Sequence, residues 1–322
     1  MYTKYCFDNR EELLYAFAMK KNVSILLIFL ATVGYGLMPI FTLIAYRHQV
    51  SPSELVLLRF AGAALIMWLY LAIAKKTAFI KTIGLRGALR IVIMLGIPFS
   101  LSIVAKFVAF TTMPVGVVQA IFYGYPLLVM LIGIAIGRET FHISRLFGYL
   151  IIFGGILLTL DLKDTRITVT GLLLSFFATF IYSWYILSIR DKKVLPISSD
   201  YITSFVMIAG TLVILIAFPF MPNNAFTFSK GAWWGIAGLI LISTVGSFHA
   251  FNTGAKHVEG SLASIIMCFE PIVTIIFEIL FLGGHYSVRQ YIGIILIPAG
   301  IILSLVLSRQ KQQTEIPNGK SD

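Results

Sequence analysis

Glu270 stands directly before Pro271 inside a long apolar stretch. Proline has no N–H, so the carbonyl of Met267, four residues back, loses its helical partner. A bare carbonyl beside a carboxylate is a site for a cation, either the ammonium of a guest or an exchanged proton, which makes Glu270 the proton-coupling candidate. Thr274 and Glu278 follow at four-residue steps and extend this polar stripe on one helix face. Lys106 occupies another apolar stretch, and an internal duplication described below puts Asn252 at the related position. Together they have the chemistry to receive a carboxylate, although Lys106 is close enough to a helix end to snorkel its ammonium to the interface. Lys106 and Glu270 are opposite-sign ends suited to a zwitterion, or partners for each other. His249, one turn before Asn252, is either a proton-sensitive gate, since imidazole titrates near neutral pH, or an ordinary hydrogen-bonded helix-end residue. Arg59 reads as structural, with Glu54, five residues earlier and not ideally placed on the same face, as a candidate partner.

Aromatic side chains make up 14% of the sequence, and many are expected in interface belts or on the lipid-facing surface. Tyr35, Tyr123, Tyr182 and Trp184 sit in mid-helix beside Gly or polar residues, and Gln119 lies one turn before Tyr123. Such a set either packs helices together or lines an amphipathic pocket, holding an apolar side chain while the polar tips orient it. Pro126 and Pro271 are candidate hinges. The sequence has no phosphate-binding Gly-Lys loop, no His-Glu-x-x-His and no nucleophile elbow, so it calls for no metal, no cofactor and no enzyme activity.

Positioning these groups requires helices in lipid. Hydrophobic residues are 58%, charged residues 12% and mean hydropathy is +0.92, too apolar a chain to cover a soluble body of 322 residues. A net charge of +11 would suit nucleic acid if clustered on one surface, but the basic residues sit in loops between apolar runs. Those runs predict ten helices near 22–46, 54–74, 88–110, 115–137, 143–161, 168–189, 200–220, 232–252, 260–282 and 287–308. Thr111-Thr112-Met113-Pro114 marks the turn between the third and fourth. With the N-terminus inside, 18 Lys and Arg fall on the cytoplasmic side and 5 outside, so both termini are expected in the cytoplasm. Cys6 and Cys268 form neither a disulfide framework nor a metal spacing. Residues 1–21 read as a cytoplasmic leader and 309–322 as a cytoplasmic tail.

Pro126 and Pro271, Gly148 and Gly293, and Gly155 and Gly300 recur at an offset of 145 residues. This is a duplication of five helices, 22–161 and 162–308. An odd number of crossings gives the halves opposite orientation, so the expected fold is an all-α membrane protein of two inverted five-helix repeats.

Gly34-Tyr35-Gly36, Leu58-Arg59-Phe60, Ala120 to Pro126 leading to Gly137-Arg138-Glu139, Gly148 with Gly154-Gly155, Glu270-Pro271, and Gly293 with Gly300 together resemble the drug/metabolite transporter superfamily, in particular its EamA-type permeases. The chain departs from that pattern at Gly283-Gly284-His285, where the second half lacks the Arg-Glu of the first. The resemblance implies a bacterial inner-membrane carrier working by alternating access, with a small-molecule substrate, the lipid bilayer as its surroundings, and protons or an exchanged metabolite as possible co-substrates. An amino acid or related amine fits the charged groups best, with export favoured. The alternatives are a nucleoside-like or larger metabolite, or an intramembrane lipid-modifying enzyme.

Overall fold

A computed structural model describes residues 21–76, 78–160, 167–221, 225–283 and 286–314. The expected leader up to Lys20, the basic residues Lys163 and Arg166, the Gly284-His285 pair and the tail from residue 315 lie outside the described residues. The described chain is helical, with no strand. Eight helices are long and apolar enough to cross a membrane. They are α1 (Lys21–Arg47), α2 (Pro52–Ile73), α3 (Gly84–Thr112), α4 (Val117–Ala135), α6 (Val169–Ile189), α7 (Ser199–Ala217), α8 (Ala232–Ala255) and α9 (Gly260–Phe281). Two shorter apolar helices, α5 (Arg145–Thr159) and α10 (Val288–Ser304), complete the order.

Local sequence accounts for the boundaries. Ser51 caps α2 by accepting the Glu54 N–H while the Glu54 carboxylate accepts the Ser51 N–H, and Pro52 stands where a helix needs no donor. Met113 is extended before Pro114, which makes the expected turn after α3. After α4, Gly137 takes a φ of 67°, and the N–H groups of Arg138 and Glu139 both return to the Gly133 carbonyl.

Two expectations need correction. The fourth and ninth helices, read as continuous, are each broken in two, into Val115–Phe122 and Tyr125–Ala135, and into Gly260–Met267 and Glu270–Leu282. The breaks fall just before Pro126 and Pro271, which suit the first turn of a new helix better than the interior of an old one. Side chains from neighbouring helices satisfy the backbone freed at the first break: Thr179 donates to Ile121 O, Tyr149 to Tyr123 O and Ser183 to Tyr125 O. The third and eighth helices each contain a π turn, Val92–Gly96 and Leu241–Gly246.

Across the halves, α3 packs on α6 and α1 on α8, while α2 packs on α7 and α5 on α10. The α5–α10 seam is glycine against glycine. A methyl on Gly293 would stand 2.5 Å from the Gly155 carbonyl oxygen, and one on Gly300 2.6 Å from that of Gly148. This approach is as close as backbones come, and it suits lipid, where packing rather than hydrophobic burial joins helices. Gly293→Val should therefore lower the thermal unfolding midpoint in detergent, an overpacking effect of about 1–3 kcal/mol. Gly154→Ala, whose methyl meets nothing within 4 Å, should leave it essentially unchanged.

Candidate functional site

A cavity of about 180 Å³ lies where the broken helices meet α1, α2, α3 and α6. Three charged groups line it: Arg59 of α2, Lys106 of α3 and Glu270 at the start of the second piece of α9. Gln119, Tyr35, Tyr123 and Tyr182 supply polar tips, and Phe99, Phe107, Phe110, Phe122, Ile103, Met38 and Met267 supply apolar wall. The aromatic floor is continuous: Phe99 packs edge-on to Phe248 at 4.8 Å, and Tyr182 packs edge-on to Tyr125 at 5.0 Å between ring centroids.

The charged groups are held without being neutralised. Arg59 is almost wholly buried; its Nε donates to Thr244 Oγ1 at 2.8 Å and its Nη1 to the Met38 sulfur. Thr244 is placed by the π turn of α8, whose widened ring lets its hydroxyl donate to Leu239 O, five residues back. The Lys106 ammonium sits 4.3 Å from the centre of the Phe122 ring, a cation–π contact. Glu270 feels the charges of Lys106 and then Arg59, but no ion pair within 4.0 Å joins any of the three among the described residues. The Gln119 carbonyl Oε1 is buried without a partner.

The structure thus brings together Glu270, Lys106, Gln119, Tyr35, Tyr123 and Tyr182, and it puts three other residues of the sequence reading elsewhere. Trp184 is 42% exposed on the outer surface. It lies two residues from Tyr182, about 200° around the helix, so both cannot face the cavity. Asn252 is fully buried in packing, donating to Phe248 O and accepting from the Tyr185 hydroxyl. His249 lines a separate recess near Asp200, its Nδ1 3.6 Å from the carboxylate. The internal duplication aligns Asn252 with Lys106 along the chain without fixing which way either side chain points.

The Arg59–Glu54 pairing does not occur: Glu54 accepts from the Ser51 and Phe226 N–H groups, and Arg59 turns to the cavity. An arginine inside an apolar run was the signal for it. Thr274 donates to the Gly36 carbonyl and the Tyr286 hydroxyl donates to Glu278, so the polar stripe beyond Glu270 is used for packing.

One end of the cavity is closed. The second piece of α4 packs on the first piece of α9, and no comparable packing joins Val115–Phe122 to Glu270–Leu282. Around the closed end the halves are clasped by polar contacts: Arg145 pairs with Glu259 and donates to Ser261 Oγ, Glu139 accepts the Ser261 N–H at 2.9 Å, and Lys76 pairs with Asp200. Beside them Arg138 pairs with Asp191, and the Lys256 ammonium donates to Ile197 O.

Burial raises the Glu139 carboxyl above the usual carboxylate range, against hydrogen bonds from Ser261 that lower it. The native state therefore holds this proton to a higher pH than the unfolded chain does. Its contribution to stability is complete below the ordinary carboxylate value of about 4.3 and is lost as pH rises through the native value. Glu139→Gln keeps the acceptor for Ser261 and removes the titration. The stability of wild type relative to this variant should fall between pH 4.5 and pH 7 in paired thermal unfolding curves.

Comparison with known proteins agrees with this architecture. Residues 22–161 and 169–306 each match the EamA-like transporter family. The chain is 26% identical over 210 residues to the "Uncharacterized transporter YxxF" of Bacillus subtilis (strain 168), covering 64% of this chain and 66% of that one. It is 27% identical over 143 residues to the "Uncharacterized inner membrane transporter YicL" of Salmonella typhimurium, covering 44% and 45%. It is also 25% identical over 263 residues to the "Uncharacterized transporter YyaM" of Bacillus subtilis, covering 78% and 84%. The matches thus span just under two thirds of the first relative's length and under half of the second's. A solved crystal structure of a protein with 17% identity superposes with a TM-score of 0.77 over 90% of this chain and 98% of that one, a likeness of fold alone. Two family matches that together span most of the helical chain make this protein a multi-pass membrane member of the EamA-like transporter family.

Proposed function

We propose that this chain is a secondary transporter of ten membrane helices in two inverted repeats, exporting a small amphipathic metabolite, an amino acid first, across a bacterial inner membrane. The single observation that carries the substrate reading is the cavity in which Arg59, Lys106 and Glu270 stand unpaired among aromatic walls. Unpaired charge in hydrocarbon is costly, so such groups are kept where a guest completes them. A carboxylate on the cationic side and an ammonium on Glu270 does so, and the aromatic wall receives the side chain. A simple amine fits less well than an amino acid, because two of the three charges repel it.

Alternating access supplies the mechanism. With both termini in the cytoplasm, the clasped end faces the cytoplasm and the cavity opens outward. Release of the clasp and approach of Val115–Phe122 to Glu270–Leu282 would expose the same groups to the other side, with the breaks before Pro126 and Pro271 as hinges. Glu270 is the group of this cavity that a driving proton would use.

In proteoliposomes, Glu270→Gln and Lys106→Met should each weaken transport of a labelled amino acid about ten- to hundredfold, the loss of one charge-assisted hydrogen bond of about 1.5–3 kcal/mol. Unchanged transport and unchanged pH response in Glu270→Gln would remove that residue from the mechanism. Transport of nucleosides in place of amino acids would overturn the substrate reading.

A further inference from the structure

The balance of charge in the cavity narrows the guest further; this step rests on the transporter reading above. Among the described residues that line it, two are permanently or ordinarily cationic, Arg59 and Lys106, and one is acidic, Glu270. Arg59 leans on a hydroxyl and a thioether, neither of which carries charge, and its Nη2 makes no hydrogen bond. Lys106 makes no hydrogen bond either and rests against the Phe122 ring. Such a contact is worth about 0.5–2 kcal/mol, less than the cost of an ammonium left without a counter-ion in a low-dielectric site. Glu270 is the carboxylate that faces both, and Glu54, the acid on the same helix as Arg59, accepts the N–H groups of Ser51 and Phe226 at the start of α2.

A plain zwitterion therefore leaves one cation of the cavity uncompensated, and a simple amine leaves both. The charge-for-charge complement has two acidic groups and one ammonium. The cavity, about 180 Å³, has room for a compact guest of this kind. We propose that the site takes an amino acid bearing a second acidic group, bound as a net monoanion, with its two acidic groups on Arg59 and Lys106 and its ammonium on Glu270.

The discriminating pair is glutamate and glutamine, equal in size and shape and different by one charge. Equilibrium binding of each labelled amino acid to the purified full-length chain in detergent, in a chloride-free gluconate buffer at pH 7, reads the difference directly. Glutamate should bind at least about tenfold more tightly than glutamine. Lys106→Gln should weaken glutamate binding at least about tenfold more than it weakens glutamine binding, and so erase that preference. Because Arg59 also ties α2 to the π turn of α8, Arg59→Lys is its companion: it keeps the charge, gives up the fork, and should retain a preference that Lys106→Gln loses. Glutamine or leucine binding as tightly as glutamate would overturn the inference and leave an amino-acid carrier standing. Binding of no amino acid at all would overturn both readings together.

Discussion

Charge has no cheap place inside hydrocarbon, and the organisation of this protein follows from where it puts the few charges it keeps there. Arg59, Lys106 and Glu270 come from three helices that are remote in sequence. Arg59 is held by a hydroxyl and a sulfur and Lys106 by a ring, and among the described residues no ion pair within 4.0 Å joins either to Glu270. Charges left unpaired in this way differ from a buried ion pair, whose partners offset each other's desolvation. Aromatic side chains form much of the wall around them.

Keeping those groups at one depth makes demands on the backbone. A straight α4 or α9 would run past the cavity, whereas the broken helices turn their ends into it and expose carbonyls that must then be satisfied within the protein. Thr179, Ser183 and Tyr149 meet that need at the first break. The π turn of α8 does comparable work for Arg59, presenting Thr244 where a regular helix would have turned it away. The glycine seam between α5 and α10 lies apart from these irregular helices and is packed backbone to backbone. Irregularity is thus concentrated at the cavity, and regularity is kept at the periphery.

Much of this was legible in the sequence because hydropathy marks helices and an ion in an apolar run marks a cavity. The start of α6 was expected at 168 and stands at Val169, and the charges at Glu270 and Lys106 needed no structure to be noticed. What sequence reasoning could not supply was helical phase. It counted Trp184 with Tyr182 although they point apart, and it set Asn252 beside Lys106 by the internal duplication although Asn252 is spent on Phe248 and Tyr185. It also paired Arg59 with the nearest acid along the chain, when the Phe226 N–H, far away in sequence, had claimed that acid. In each case the deciding partner lay across a helix or across the halves, where sequence distance says nothing.

The halves are joined by different chemistry at the two ends of the molecule. At the clasped end the halves meet through ion pairs, Arg145 with Glu259 and Lys76 with Asp200. At the other, among the described residues, they meet through neutral hydrogen bonds such as Thr168 with the Thr112 carbonyl and the Ser229 N–H with the His48 carbonyl. Partly exposed ion pairs are screened by dissolved salt on the scale of a Debye length of about 8–10 Å, and short neutral hydrogen bonds hardly at all. A duplicated scaffold with unlike latches therefore answers to salt unevenly: dissolved ions loosen the ion-paired end and leave the hydrogen-bonded end nearly as it was.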